Sequence, residues 1–260
     1  MTDMIEHAKR ALGLVDLTNL NDDCTAADIS KLTGRTVTDH GSVAAVCVWP
    51  RFVAQAAQEL TGTGVKVATV VNFPEGGEDT EAVLAETKQA LADGADEIDL
   101  VMPYKAFCAG RKGFAEEQII RVKAAIPEPA LLKVILETGE IKDPLLIHAA
   151  SNIAIGAGAD FIKTSTGKVA VNATLEAAEI MLTAIEEARR DNAERVIGFK
   201  PAGGIRTAED AAAYLALADK IMGQNWVSAH TFRFGASGLL DALISTIEGQ
   251  EIVDHSHHGY

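Results

Sequence analysis

Cysteine is scarce in this chain: Cys24, Cys47 and Cys108 are the only three in 260 residues. An odd, low count builds no disulfide framework and suits a reducing cytosol. Positive charge is short as well, with 23 lysines and arginines against 37 aspartates and glutamates, a formal net charge of -14. Such a chain repels nucleic acid and anionic membrane overall, so neither is expected as a partner. A small basic pocket can still hold an anion. Long apolar runs are also missing. The opening "MTDMIEHAKRALG" has no apolar h-region, so no secretory signal is expected. The longest uncharged run, Pro144 to Ala159, contains His148, Ser151 and Asn152 and is too short and polar to span a bilayer. There is no G-x-G-x-x-G after an apolar run and no G-x-x-x-x-G-K-[ST], which removes the usual nucleotide fingerprints. His7, His40, His148 and His230 are scattered without metal-ligand spacing, and His255, His257 and His258 fall in the tail "DHSHHGY". No metal and no cofactor are expected.

What is present is ordinary for a globular protein: 48% hydrophobic and 23% charged residues. Short apolar runs alternate with longer amphipathic ones. Strands are expected at "GLVDLT" (13–18), "SVAAVCV" (42–48), "VKVATVV" (65–71), "EIDLVM" (97–102), "LLKVIL" (131–136), "DFIKTS" (160–165), "VIGFK" (196–200) and "TFRFG" (231–235). They start roughly 23 to 36 residues apart, the size of a βα repeat. Helical patterns such as "TEAVLAETKQALADG", "NATLEAAEIMLTAIEEARR" and "TAEDAAAYLALADKIMG" fill the gaps. Thr207 with Asp210 can close a capping box, and Asp143-Pro144 is an N-cap followed by proline at N1. Eight such repeats in this length predict an α/β fold, a single (β/α)8 TIM barrel over 1–260 with a mobile tail at 250–260. A doubly wound sheet, which also alternates β and α, is the alternative.

The chemistry lies on four of these strands. Alternate residues of a barrel strand face the axis and the helices. With Ile98, Leu100, Leu132, Val134, Ile162 and Phe199 outward, Asp99, Lys133, Lys163 and Lys200 face in. All four lie toward the C-terminal halves of their strands, where barrel active sites sit. A structural ion-pair network is the bland alternative. Lysine is seldom buried unless it is paired or neutral. Only the neutral amine attacks a carbonyl to form a Schiff base, and about 1 lysine in 2,500 is neutral at pH 7 with an ordinary pKa. A second ammonium and a dry pocket lower that pKa. A shift of about three units takes roughly 4 kcal/mol, and an aspartate beside the pair can then carry protons. The loops add a second feature. "KPAGGIRT", "FGASG" and "TSTGK", the last with Gly167 and Lys168, follow the seventh, eighth and sixth strands. Glycine-rich loops there bind phosphate with backbone N–H groups and a helix N-terminus, unless they are simple tight turns.

The stretches "GADEIDLVMPY", "LLKVILETGE", "GADFIKTSTGKVAVNAT", "GFKPAGGIRT" and "RFGAS" resemble the deoxyribose-phosphate aldolase family, in its enterobacterial-type branch. The resemblance runs from "VDLTNLND" at 15–22 to Tyr260. It implies a cytoplasmic class I aldolase of deoxyribonucleoside catabolism, working without metal or cofactor as a monomer or homodimer. Its small-molecule partners would be a phosphorylated sugar, 2-deoxy-D-ribose 5-phosphate, and the products acetaldehyde and D-glyceraldehyde 3-phosphate. By the family pattern Lys163 is the Schiff-base lysine, Lys200 lowers its pKa, and Asp99 and Lys200 handle protons. Tyr260 matches a terminal tyrosine that aids proton transfer. Lys168, Gly203, Gly204, Arg206, Gly235 and Ser237 match positions at the substrate or its phosphate, and Asp16, Thr18 and Cys47 match positions lining the pocket. Gly238 departs from the serine common in this branch, leaving a backbone N–H for phosphate. The rivals are another lysine-based barrel aldolase, a catalytically silent sugar-phosphate sensor, and a metal-dependent phosphosugar isomerase or lyase.

Overall fold

The barrel strands are buried almost throughout, as required when one face meets helices and the other a barrel interior. The computed structural model describes residues 2–249 and shows that arrangement. The strands are β1 (Val15–Asn19), β2 (Ala45–Val48), β3 (Lys66–Val71), β4 (Glu97–Val101), β5 (Leu131–Ile135), β6 (Phe161–Lys163), β7 (Gly198–Lys200) and β8 (Phe234–Ala236). All pair in parallel, in the order β8-β1-β2-β3-β4-β5-β6-β7. Parallel bridges Phe199 with Phe232 and Ala202 with Gly235 join the two ends. The sheet is therefore a closed (β/α)8 TIM barrel.

The main helices are α1 (Thr2–Leu12), α2 (Ala26–Thr33), α3 (Val53–Glu59), α4 (Thr80–Ala92), α5 (Lys112–Ala124), α6 (Pro144–Gly156), α7 (Leu175–Asp191), α8 (Ala208–Met222) and α9 (Leu239–Ile247), with short helical turns at Tyr104–Cys108 and Thr138–Ile141. Their starts follow local chemistry. Thr25 with Asp28 and Thr207 with Asp210 form capping boxes, while Asp79, Asp143 and Thr174 accept from first-turn N–H groups. Among the described residues no helix is long and apolar enough to cross a membrane.

The eight expected strands are present, with shorter bounds. Ser42 leaves the second expected strand for a small hairpin, Val37–Thr38 with Gly41–Ser42. The eighth regular strand begins at Phe234 rather than at 231, because Phe232 and Arg233 engage β7 through Phe199 instead. The main core lies between strands and helices. A second, small apolar cluster of Leu20, Cys47, Ala68 and Val70 fills one side of the barrel interior. The interior also holds a layer of buried charge, with Phe161 packed beside it.

Candidate active site

β4, β5, β6 and β7 turn Asp99, Lys133, Lys163 and Lys200 into the barrel in two adjacent layers: Asp99 is in register with Lys133, and Lys163, in register with Lys200, is level with Ile135, two residues further along. Lys163 donates from Nζ to Asp99 Oδ2 at 2.7 Å, and Lys200 donates to the same oxygen at 2.8 Å. Lys200 Nζ also sits 2.5 Å from Asp16 Oδ2. Lys133 reaches the other Asp99 oxygen at 3.0 Å. Asp99, Lys133 and Lys200 are fully buried, whereas Lys163 keeps 3% of its surface exposed.

Burial by itself would push the Asp99 carboxyl up. The ammoniums of Lys133, Lys163 and Lys200 outweigh it and hold Asp99 well below the usual carboxylate range. Asp16 is held down likewise, against burial, by Lys200, Arg233 and Lys133. Burial would strip the proton from Lys200, yet Asp16 and Asp99 together raise it, so Lys200 is a fixed cation. Burial raises the Cys47 thiol, which stays protonated within its apolar cluster.

Above this layer opens a cavity of about 780 Å3. Lys163 is on its floor, and Thr18, Lys168, Gly203, Gly204, Arg206, Gly235 and Ser237 line its wall. Asp16, Asp99, Lys200 and Cys47 lie beneath it, each 0% exposed. Tyr260, and the tail 250–260 with it, lies outside the described residues. The loops are held from below. Thr164 Oγ1 accepts from Ala202 N at 3.0 Å, tying the loop after β6 to the loop after β7. Thr166 donates through Oγ1 to Glu137 at 2.6 Å and accepts from Lys168 N at 3.0 Å. Glu137 holds a left-handed backbone, φ 62°, to present its buried carboxyl there. Gly203 has φ 83°, and a Cβ there would lie 2.7 Å from Asn172 Cβ. Only glycine fits that position without strain. The start of α9, capped by Gly238 with no side-chain bond, faces the same cavity. The arrangement offers an amine nucleophile at one end and anion-binding donors at the other.

Several residues of this site were not singled out from the sequence. Glu97 and Arg233 continue the ion-pair layer, and strand alternation places both inward, Glu97 with Asp99 and Arg233 between Phe232 and Phe234. Lys31 and Arg35, on and just after α2, line the cavity mouth. Nothing in local pattern marks them, since they read as solvated helix charges. Lys168 is paired with Asp22 at 3.0 Å across that mouth. Among the described residues no set of three His, Cys, Asp or Glu side chains is arranged to hold a metal ion.

A family model described as DeoC/LacD family aldolase matches residues 10–243. A protein of Agrobacterium fabrum (strain C58 / ATCC 33970) named deoxyribose-phosphate aldolase is 56% identical over 247 residues, which cover 95% of this chain and 93% of that protein. A crystal structure of a putative deoxyribose-phosphate aldolase from Coccidioides immitis superposes with a TM-score of 0.79 at 32% identity, covering 92% of this chain and 86% of that one. Another, from Toxoplasma gondii ME49, gives a TM-score of 0.86 at 27% identity over 97% of this chain and 98% of that one. With the barrel, the inward lysines and these similarities together, the chain belongs to the DeoC/LacD family of aldolases.

Proposed function

We propose that this chain is a class I aldolase that reversibly cleaves 2-deoxy-D-ribose 5-phosphate to acetaldehyde and D-glyceraldehyde 3-phosphate, with Lys163 as the Schiff-base lysine. The observation that carries the reading is that Lys163, alone among the three converging lysines, lines the cavity while sharing an Asp99 oxygen with the cation Lys200. The relative from Agrobacterium fabrum, by its name, acts on this substrate.

The chemistry follows from the geometry. Neutral Lys163 adds to the aldehyde carbon of the open-chain sugar, and the carbinolamine loses water to give an iminium. Cleavage of the bond between C2 and C3 then leaves the enamine of acetaldehyde and releases glyceraldehyde 3-phosphate. The iminium is the electron sink for that step. Asp99 is held too far down to be a strong resting base. It serves as a relay, passing protons between Lys163, Lys200 and the reacting oxygen over bonds of 2.7 and 2.8 Å. Lys168, Gly203, Gly204, Arg206, Gly235, Ser237 and the start of α9 hold the phosphate, and Thr18 the sugar. Asp16 fixes Lys200, and buried Cys47 packs beneath the site. The apolar side of the interior keeps water from the enamine. Tyr260 is assigned the methyl-carbon proton on family pattern alone. The whole chain is taken as one barrel domain. Incubation with acetaldehyde and borohydride should inactivate the enzyme and leave a two-carbon label on Lys163. A label on Lys133 or Lys200, or none, overturns the assignment. Turnover should persist after dialysis against a chelator.

A further inference from the structure

The layer beneath Lys163 holds more charge than the reaction uses. Arg233, 4% exposed, donates through Nη1 to Asp16 Oδ1 at 2.7 Å and through Nη2 to Glu97 Oε1 at 2.8 Å. Its guanidinium lies 5.7 Å from the centre of the Phe161 ring. Fully buried Lys133 donates to Glu97 and to Asp99. Neither Arg233, Glu97 nor Lys133 lines the cavity. Buried ion pairs return little net stability, because desolvation offsets the attraction. Three extra charged groups under an active site therefore call for a functional reason.

Counting the linked side chains supplies one. Among the described residues Lys133, Lys163, Lys200 and Arg233 are four potential cations, joined by ion pairs to three carboxylates, Asp16, Glu97 and Asp99. An unbalanced charge is expensive in such a setting. Arg233 cannot lose its proton. Lys133 touches Glu97 and Asp99, and Lys200 touches Asp16 and Asp99. Among the described carboxylates Lys163 pairs with Asp99 alone. Resting on the Schiff-base reading above, we propose that Arg233 and Lys133 are positioning residues that consume the carboxylate charge, so the set balances only when Lys163 is the neutral amine. Asp16 is held low against burial by Lys200, Arg233 and Lys133, and Lys133 and Lys200 act the same way on Asp99.

Two other titratable groups act on Lys163. Cys47 is kept as a thiol by burial. Glu137 is raised by burial, offset in part by the bonds from Thr166, and it joins no ion pair of the set. Neither changes the count among the linked groups.

The test is the pH profile of kcat/KM, with borohydride trapping by acetaldehyde followed over the same range. Arg233→Met removes a positive charge, so the acid limb should move up by about one pH unit, a tenfold loss of trapping below the limb. Glu97→Gln removes a negative charge and should move the limb down by a similar amount. The double variant Arg233→Met/Glu97→Gln restores the count and should return the limb to the wild-type position, and Arg233→Lys should leave it there. Circular dichroism checks folding. Should one single variant not fold, the other, with the double variant and Arg233→Lys, still decides. Singles that shift the limb the same way, or lower activity with the limb unmoved, overturn the proposal. So does a displaced limb in the double variant. If wild type forms no Lys163 adduct at any pH, the Schiff-base reading itself fails. An adduct with unmoved limbs sinks only the charge proposal.

Discussion

Lys163 and Lys200 show how neighbouring lysines of one chemistry acquire different work. Lys200 has two carboxylates and no access to the cavity, and Lys163 has one carboxylate and the cavity floor. Lys200 is thus the fixed charge and Lys163 the group that can change state. Replacing Lys200 by Leu leaves Asp99 Oδ2 to Lys163 alone, which favours the ammonium. Loss of that neighbouring cation therefore moves the acid limb of the kcat/KM profile to higher pH as the rate falls. A lower rate with an unmoved limb would mean that Lys200 acts only in proton transfer. These two residues, with Asp99 and Lys133, were legible in the sequence because each is a lone charge between apolar neighbours. Glu97 and Arg233 obey the same alternation. Glu97 escaped because a charge at the start of a strand ordinarily reads as solvent-facing, and Arg233, inside the expected strand 231–235, was not weighed although Phe232 and Phe234 flank it.

At the scale of elements, the site depends on how closely β8 approaches β7. Gly235 is in register with Asp16, and a Cβ there would lie 2.8 Å from Ala202 Cβ and 3.1 Å from Lys200 Cε. Gly203 is different, because its cost is a left-handed backbone together with the Asn172 contact. Two alanine variants should therefore part company. Gly235→Ala displaces Lys200 and should lower kcat. Gly203→Ala distorts the phosphate loop at a backbone cost of about 1–2 kcal/mol, so KM for the phosphorylated sugar should rise roughly tenfold with kcat nearly kept. Steady-state kinetics separates them, and equal effects on both constants in both variants would contradict the division. The strands and the main helices could be read locally, since βα repeats carry their own periodicity and caps. The closure through Phe199–Phe232 and Ala202–Gly235 could not, because it joins residues that are partners only once the barrel shuts.

For the whole molecule, a net charge of -14 must coexist with a mouth that, on the proposed reading, receives a phosphate. The mouth resolves this locally. Lys31, Arg35, Lys168 and Arg206 surround the cavity near the start of α9, and Lys31, Arg35 and Lys168 are paired with Asp28, Asp241 and Asp22. Exposed pairs of this kind are worth about 0–1 kcal/mol, so an incoming phosphate exchanges them at little cost. The phosphate does not react, but its binding positions the carbon that does. Charge-assisted hydrogen bonds contribute about 1.5–3 kcal/mol each, so losing two or three together should cost roughly 10³-fold or more in kcat/KM. 2-Deoxyribose without its phosphate should be that much poorer a substrate. Ser237 lies at this end of the cavity, just before α9. Ser237→Asp sets a carboxylate against the phosphate and leaves the lysine layer untouched. The phosphorylated substrate should suffer and the free sugar should not, so the ratio of the two kcat/KM values should fall toward one. An unchanged ratio would place the phosphate elsewhere in the cavity and remove the loops after β7 and β8 from its binding.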